Sequence, residues 1–228
     1  MTNKKETIET TSPDVGSTIS KTEVYIENNR KILTYIVAGI VIIILGFIGY
    51  QKLYVAPLEN EAYSQMFMAE AYFEKDSFKL ALNGDGYYPG FLSIIDDYGV
   101  TKAGNLAKYY AGISYLQLGN FEEAISYLKK FKGKDIIVSS MAKGAMGDAY
   151  VELGDYKKAI SNYNAAANNK SNDFSTPIFL MKSAYVHEKS GNFSEALKIY
   201  ERIQKEYPNS VEGRKIEKYI TRTKLLAK

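Results

Sequence analysis

The residue types that usually carry enzyme chemistry are scarce in this chain. It has no cysteine and a single histidine, His187. The missing thiols exclude disulfides, cysteine-ligated zinc, iron–sulfur clusters and a thiol nucleophile, and also a bacterial lipoprotein anchor, which needs a cysteine to carry the lipid. His187 has no nucleophile beside it in the sequence and falls in a slot where its neighbours in a repeating pattern carry tyrosine, so it reads as a packing residue. Asn83-Gly84-Asp85-Gly86 faintly resembles a calcium loop but lacks the twelve-residue spacing and the closing glutamate, so it reads as a structural turn. Asn169-Lys170-Ser171 and Asn192-Phe193-Ser194 fit the glycosylation triplet, a pattern that arises often by chance. No metal or cofactor site emerges, and the chain is expected to be non-enzymatic.

The elements around these residues say more. Ile32 to Tyr50 contains no charge and only one hydroxyl that is not aromatic. As a helix it would extend roughly 28 Å, close to the hydrocarbon thickness of a bilayer. The run exceeds the usual apolar core of a signal peptide and ends in Gly49-Tyr50-Gln51-Lys52 without a small-x-small cleavage site, so a retained anchor is expected. Lys4, Lys5, Lys21, Arg30 and Lys31 precede the span, whereas only Lys52 follows it closely. That asymmetry predicts a cytoplasmic N-terminus and an exported C-terminal domain. Gly39, Gly46 and Gly49 make one smooth side of the helix where a partner helix could approach.

Of 228 residues, about 178 follow the span, enough for one domain with a core. The net charge of +3 is small and dispersed, so nucleic acid is not an expected partner. Residues 1–20 read as a disordered tail, 21–31 as a juxtamembrane segment, and 32–50 as the transmembrane helix.

Beyond the span the chain repeats itself. Tyr115-Leu-Gln-Leu-Gly119-Asn120-Phe121 leads to Ala124, Tyr150-Val-Glu-Leu-Gly154-Asp155-Tyr156 to Ala159, and His187-Glu-Lys-Ser-Gly191-Asn192-Phe193 to Ala196. The alanines lie 35 and 37 residues apart. The physical logic is a helical hairpin: glycine ends the first helix in the left-handed conformation, Asn or Asp starts the turn, and an aromatic plugs the corner. The small residue then lets the second helix come close. Gly112, Gly147 and Ala184 do the same on the first helices, and Pro208 closes the last pair. The pattern resembles the tetratricopeptide repeat, of about 34 residues per unit.

The expected fold is therefore all-α: one N-terminal transmembrane helix followed by a tetratricopeptide-repeat α-solenoid. Residues 56–104 form a degenerate first repeat, with a helix over Glu59 to Glu74, an insertion with a long turn from Asn83 to Gly90, and a short helix over Phe91 to Tyr98. Residues 105–210 hold three repeats and 211–228 a C-terminal capping helix. In such arrays the first helices line a concave groove that takes peptides. Counting from the repeat starts assigns Leu106, Tyr109, Ile113 and Leu116 to it, then Met141, Asp148 and Val151, then Ile178, Met181 and Tyr185. Whether that groove is open or covered by neighbouring helices is left undecided by the sequence.

The layout as a whole is similar to the YfgM-type ancillary subunit of the bacterial Sec translocon. Tyr25-Ile26-Glu27-Asn28-Asn29-Arg30-Lys31 precedes the apolar helix, and Gly49-Tyr50 ends it, where that family has an aromatic pair, a Glu-Asn-Gly-Lys-like stretch and a Gly-Trp helix end. The resemblance implies an inner-membrane protein with a periplasmic domain. It also implies three kinds of partner: Sec translocon subunits, a PpiD-type membrane-anchored prolyl isomerase, and nascent exported polypeptides. A general scaffold for another envelope complex, such as cell-division or outer-membrane assembly machinery, is the other reading, and a membrane-bound enzyme hidden by the repeats a third.

Overall fold

A computed structural model describes residues 24–227, and the expected tail at 1–20 lies outside them. The chain divides after Tyr54 into two units. In the first, a helical stretch at 24–28 passes through Asn29 into α1, Arg30–Tyr50. None of the residues of α1 is buried. It is long and apolar enough to cross a bilayer. Gly39, Gly46 and Gly49 have open space where a Cβ would project. Gln51–Val55 continues with π-helical hydrogen bonding.

The second unit is all-helical among the described residues. It opens with α2 (Ala56–Glu74), α3 (Phe78–Asn83) and α4 (Phe91–Tyr98). Three hairpins follow: α5 (Lys102–Gln117) with α6 (Phe121–Lys130), α7 (Ile136–Glu152) with α8 (Tyr156–Ala167), and α9 (Ser175–Lys189) with α10 (Phe193–Glu206). A 3-10 turn at Gly213–Lys215 leads to α11, Glu217–Leu226. Each hairpin packs on the next, α7 also touches α5 and α9, and α11 lies on α10. This is the helical solenoid that the repeat pattern predicts.

The hairpin corners are built as their chemistry requires. Gly119, Gly154 and Gly191 have φ of 78°, 73° and 76°, a region that costs an L-residue with a Cβ about 1–2 kcal/mol. Ala124, Ala159 and Ala196 are fully buried. A Cβ on Gly147 would come within 2.5 Å of the Tyr163 ring, and one on Gly112 within 2.5 Å of Leu128. Close approach of paired helices therefore depends on side chains that are not there. Thr101, Asp135 and Asp155 cap α5, α7 and α8 by accepting from the backbone N–H of Gly104, Val138 and Lys158.

Two elements differ from the sequence expectation. The segment before Asn83 contains α3, a helix too short to show a period. Asp76, in the left-handed region at φ 55°, reverses the chain into it. The last helix begins at Glu217 rather than Val211. Ser210 Oγ accepts from Gly213 N at 2.8 Å, and a Cβ on Gly213 would meet the Tyr207 carbonyl at 2.0 Å, so the chain turns tightly there before α11 starts. Ile216 and Ile220 are buried.

The turn after α3 is held by hydrogen bonds to Asp85. Asp85 accepts from the N–H of Tyr87 and Tyr88 at 2.9 and 2.8 Å, and from the Tyr72 hydroxyl at 2.6 Å. These bonds hold its carboxyl below the usual range, the Tyr72 hydroxyl contributing most. Asn169, in a glycosylation triplet, donates its amide to Ile136 O and Ser140 Oγ, both at 3.2 Å. That bonding draws its side chain into the repeat junction.

Candidate protein-binding groove

Helices α7, α9 and α11 border a groove of about 550 Å³. Four of the residues expected to bind protein line it: Asp148, Val151, Met181 and Tyr185. Tyr185 is the most open of them, 57% exposed. One residue per helical turn explains the placement. Asp148 and Val151 lie three apart on α7, and Met181 and Tyr185 four apart on α9, so each pair shares a face. Packing of α9 on α7 then brings the two faces together.

The other six expected residues are elsewhere. Tyr109, Ile113 and Leu116 are half-buried against the packing of α6 and α7 around Leu128, Ala142 and Ala145. Met141 and Ile178 are half-buried against the core of the second and third hairpins. Leu106 lines a separate cleft at the other end of α5. Close packing of successive first helices is what draws these apolar side chains inward.

The charged groups in the groove are paired, while the buried Tyr200 hydroxyl has no hydrogen-bond partner among the described residues. Lys182 donates to both oxygens of Asp148 at 2.7 Å, and the Tyr163 hydroxyl donates to Asp148 at 2.6 Å. Burial, aided by that carboxylate, pushes the Tyr163 hydroxyl far above its ordinary titration range, so it stays a donor. Arg222 pairs with Glu188, to which Thr223 also donates. The Arg222 guanidinium lies 5.4 Å from the centre of the Tyr219 ring, which packs on buried Tyr200 at 5.6 Å. The floor that remains is aromatic and aliphatic, with its charges already compensated. Such a surface suits an apolar or aromatic peptide side chain rather than a charged one.

Lys182, Tyr219 and Arg222 were not among the expected residues. A sequence signal for two of them exists. Asp148–Lys182 and Glu188–Arg222 are each separated by 34 residues, one repeat length, so opposite charges one period apart mark the pairs that stitch neighbouring units.

His187 occupies the slot that Tyr115 and Tyr150 fill in the earlier hairpins. It is half-buried, and its Nδ1 has no hydrogen-bond partner within the described residues. Burial lowers its pKa, with a small opposing effect from Glu195. Burial therefore favours the neutral ring.

Known proteins agree with the repeat fold. Two tetratricopeptide-repeat family models match the chain, over residues 106–135 and 145–211. The solved structure of the nearly identical TPR-like repeats of a Podosopora anserina kinesin light chain is similar in fold. It has a TM-score of 0.56 at 12% sequence identity, and the match covers 74% of this chain and 87% of that one. No curated protein matches the sequence. The chain therefore carries tetratricopeptide repeats, and its class is that of a repeat scaffold for protein interaction.

Proposed function

We propose that this protein is a single-pass, non-enzymatic interaction module of a bacterial inner membrane, with its repeats in the periplasm. There it works beside the Sec translocon on newly exported chains, together with a PpiD-type membrane-anchored prolyl isomerase. The observation that carries the reading is the groove lined by half-buried Val151 and Met181 and exposed Tyr185, on a chain whose N-terminal helix is long and apolar enough for a bilayer. Three further features support it: the Lys and Arg asymmetry around the span, the resemblance of residues 25–31 and of Gly49-Tyr50 to the translocon subunit, and the aromatic character of the groove. A tether raises the local concentration of the groove to the millimolar range near a channel exit, so weak contacts with an emerging chain suffice.

The test is photo-crosslinking in living cells from residues placed at Met181 and Tyr185. Adducts to translocon subunits, to the isomerase and to exported polypeptides are expected. Tyr185→Asp should cut the Met181 adducts to exported chains roughly tenfold, because the groove then carries an uncompensated charge. Recovery of cell-division or outer-membrane assembly proteins without translocon subunits would replace this reading with that of a general envelope scaffold.

A further inference from the structure

A second cleft, of about 520 Å³, lies between the start of α5 and the loop that joins α6 to α7. Its apolar floor includes Val100, Leu106, Phe131 and Val138, and its walls carry Lys102, Lys108, Lys132 and Lys134. One carboxylate lines it, Asp135 from the loop itself, and Glu59 of α2 bonds to the start of α5 beside it; both are engaged. Glu59 accepts from the N–H of Lys102 at 2.7 Å and of Ala103 at 3.1 Å, while Asp135 accepts from the N–H of Val138 at 2.9 Å. Each holds a helix N-terminus, where negative charge is already favoured. None of the four lysines takes part in an ion pair among the described residues. The cleft thus contrasts with the groove between α7 and α9, where the cations have carboxylate partners.

Lys108 shows the imbalance most directly. Its amine is half-buried and reaches only the Gly99 carbonyl, at 3.5 Å. Burial lowers its pKa, and Lys132 and Lys130 lower it further. The loop supplies a different kind of group. Phe131 and Asp135 have extended backbone, with ψ of 128° and 135°. Asn105 clamps the segment by exchanging hydrogen bonds with Lys132 N at 3.0 Å and Lys132 O at 3.1 Å. The N–H groups of Gly133 and Lys134 have no partner among the described residues. Successive N–H groups of an extended backbone point to opposite sides, so one of these two donors can bond to a second extended chain in the cleft.

We propose that this cleft binds an acidic, extended peptide segment of a partner protein, with carboxylates among Lys102, Lys108, Lys132 and Lys134 and an apolar side chain on the Leu106–Phe131 floor. Charge complementarity selects the ligand class. The concave apolar floor favours a peptide over a lipid headgroup, which would leave that floor unused. The site is separate from the Tyr185 groove.

The test uses the full-length protein in phosphatidylcholine nanodiscs and a fluorescein-labelled peptide of alternating Glu and Leu, read by anisotropy. Binding is expected for this peptide and not for the same peptide with Gln in place of Glu, and added salt should weaken it. Lys132→Glu with Lys134→Glu should weaken binding at least about tenfold. Both residues are exposed in a loop, so an unchanged circular dichroism spectrum will confirm folding. Tyr185→Asp should leave binding unchanged. Equal binding of the Gln peptide, no effect of the lysine substitutions, or loss of binding in Tyr185→Asp would overturn the proposal. Displacement of the peptide by phosphatidylglycerol through the same lysines would also overturn it, in favour of a lipid headgroup.

Discussion

Ile42→Asp combined with Ile43→Asp is expected to release the protein from membranes. Both residues lie near the centre of α1, and neither has packing to lose, because no residue of that helix is buried. Each aspartate at a span centre costs about 3 kcal/mol of insertion free energy. The Ile, Leu, Val and Phe side chains of the span, about a dozen, together favour insertion by on the order of 5 kcal/mol on the same scale. Two aspartates therefore offset the whole driving force. The protein should move from the carbonate-resistant pellet to the soluble fraction, while Ile42→Leu with Ile43→Leu should remain in the pellet. A pellet unchanged by the aspartates would mean that another part of the chain holds the membrane.

Phe91→Ala is expected to destabilise the opening of the solenoid without unravelling its end. Phe91 is fully buried, stacks on Tyr110 at 5.1 Å between centroids, and meets Phe73 edge-on at 6.3 Å. Removing a buried aromatic of this size costs about 3–5 kcal/mol, a large part of the ~5–15 kcal/mol that holds an ordinary domain. Repeat stacks conduct such damage poorly, since each unit contacts only its neighbours. Hydrogen exchange should therefore lose protection first in α2, α4 and α5, with α9 and α10 close to wild type. Phe91→Leu should cost roughly a third as much. A uniform loss of protection along the whole repeat domain would contradict this picture.

The hairpins could be seen in the sequence because each depends on residues with one physical role. Only glycine takes φ near 75° cheaply at Gly119, Gly154 and Gly191, and only small side chains fit at Ala124, Ala159 and Ala196. The span was visible for a similar reason: a helix that faces water on any side needs charged or polar residues there, and Ile32 to Tyr50 has no charge over the thickness of a bilayer. Helix α3 was not visible, because six residues cannot display a helical period. The groove was half visible. Asp148, Val151, Met181 and Tyr185 follow from the face of each first helix, but Tyr219 and Arg222 arrive from α11, whose register on α10 is set by tertiary packing. Tyr109 and Ile113 sit at equivalent positions but pack around Leu128, Ala142 and Ala145 and do not border the groove, so repeat position alone does not separate lining from packing. The lysine cleft was hidden altogether. Lys102 and Lys108 come from α5 and Lys132 and Lys134 from a loop, and each looks like an ordinary surface charge until the fold brings them to one cavity.

The absence of cysteine makes the central claim directly measurable. Tyr87, 93% exposed in the turn before α4, can be replaced by cysteine as the protein's single thiol. A membrane-impermeant maleimide applied to intact spheroplasts should label Tyr87→Cys fully, with no gain when the cells are broken. Labelling that appears only after lysis would place the repeats inside the cell and contradict the account.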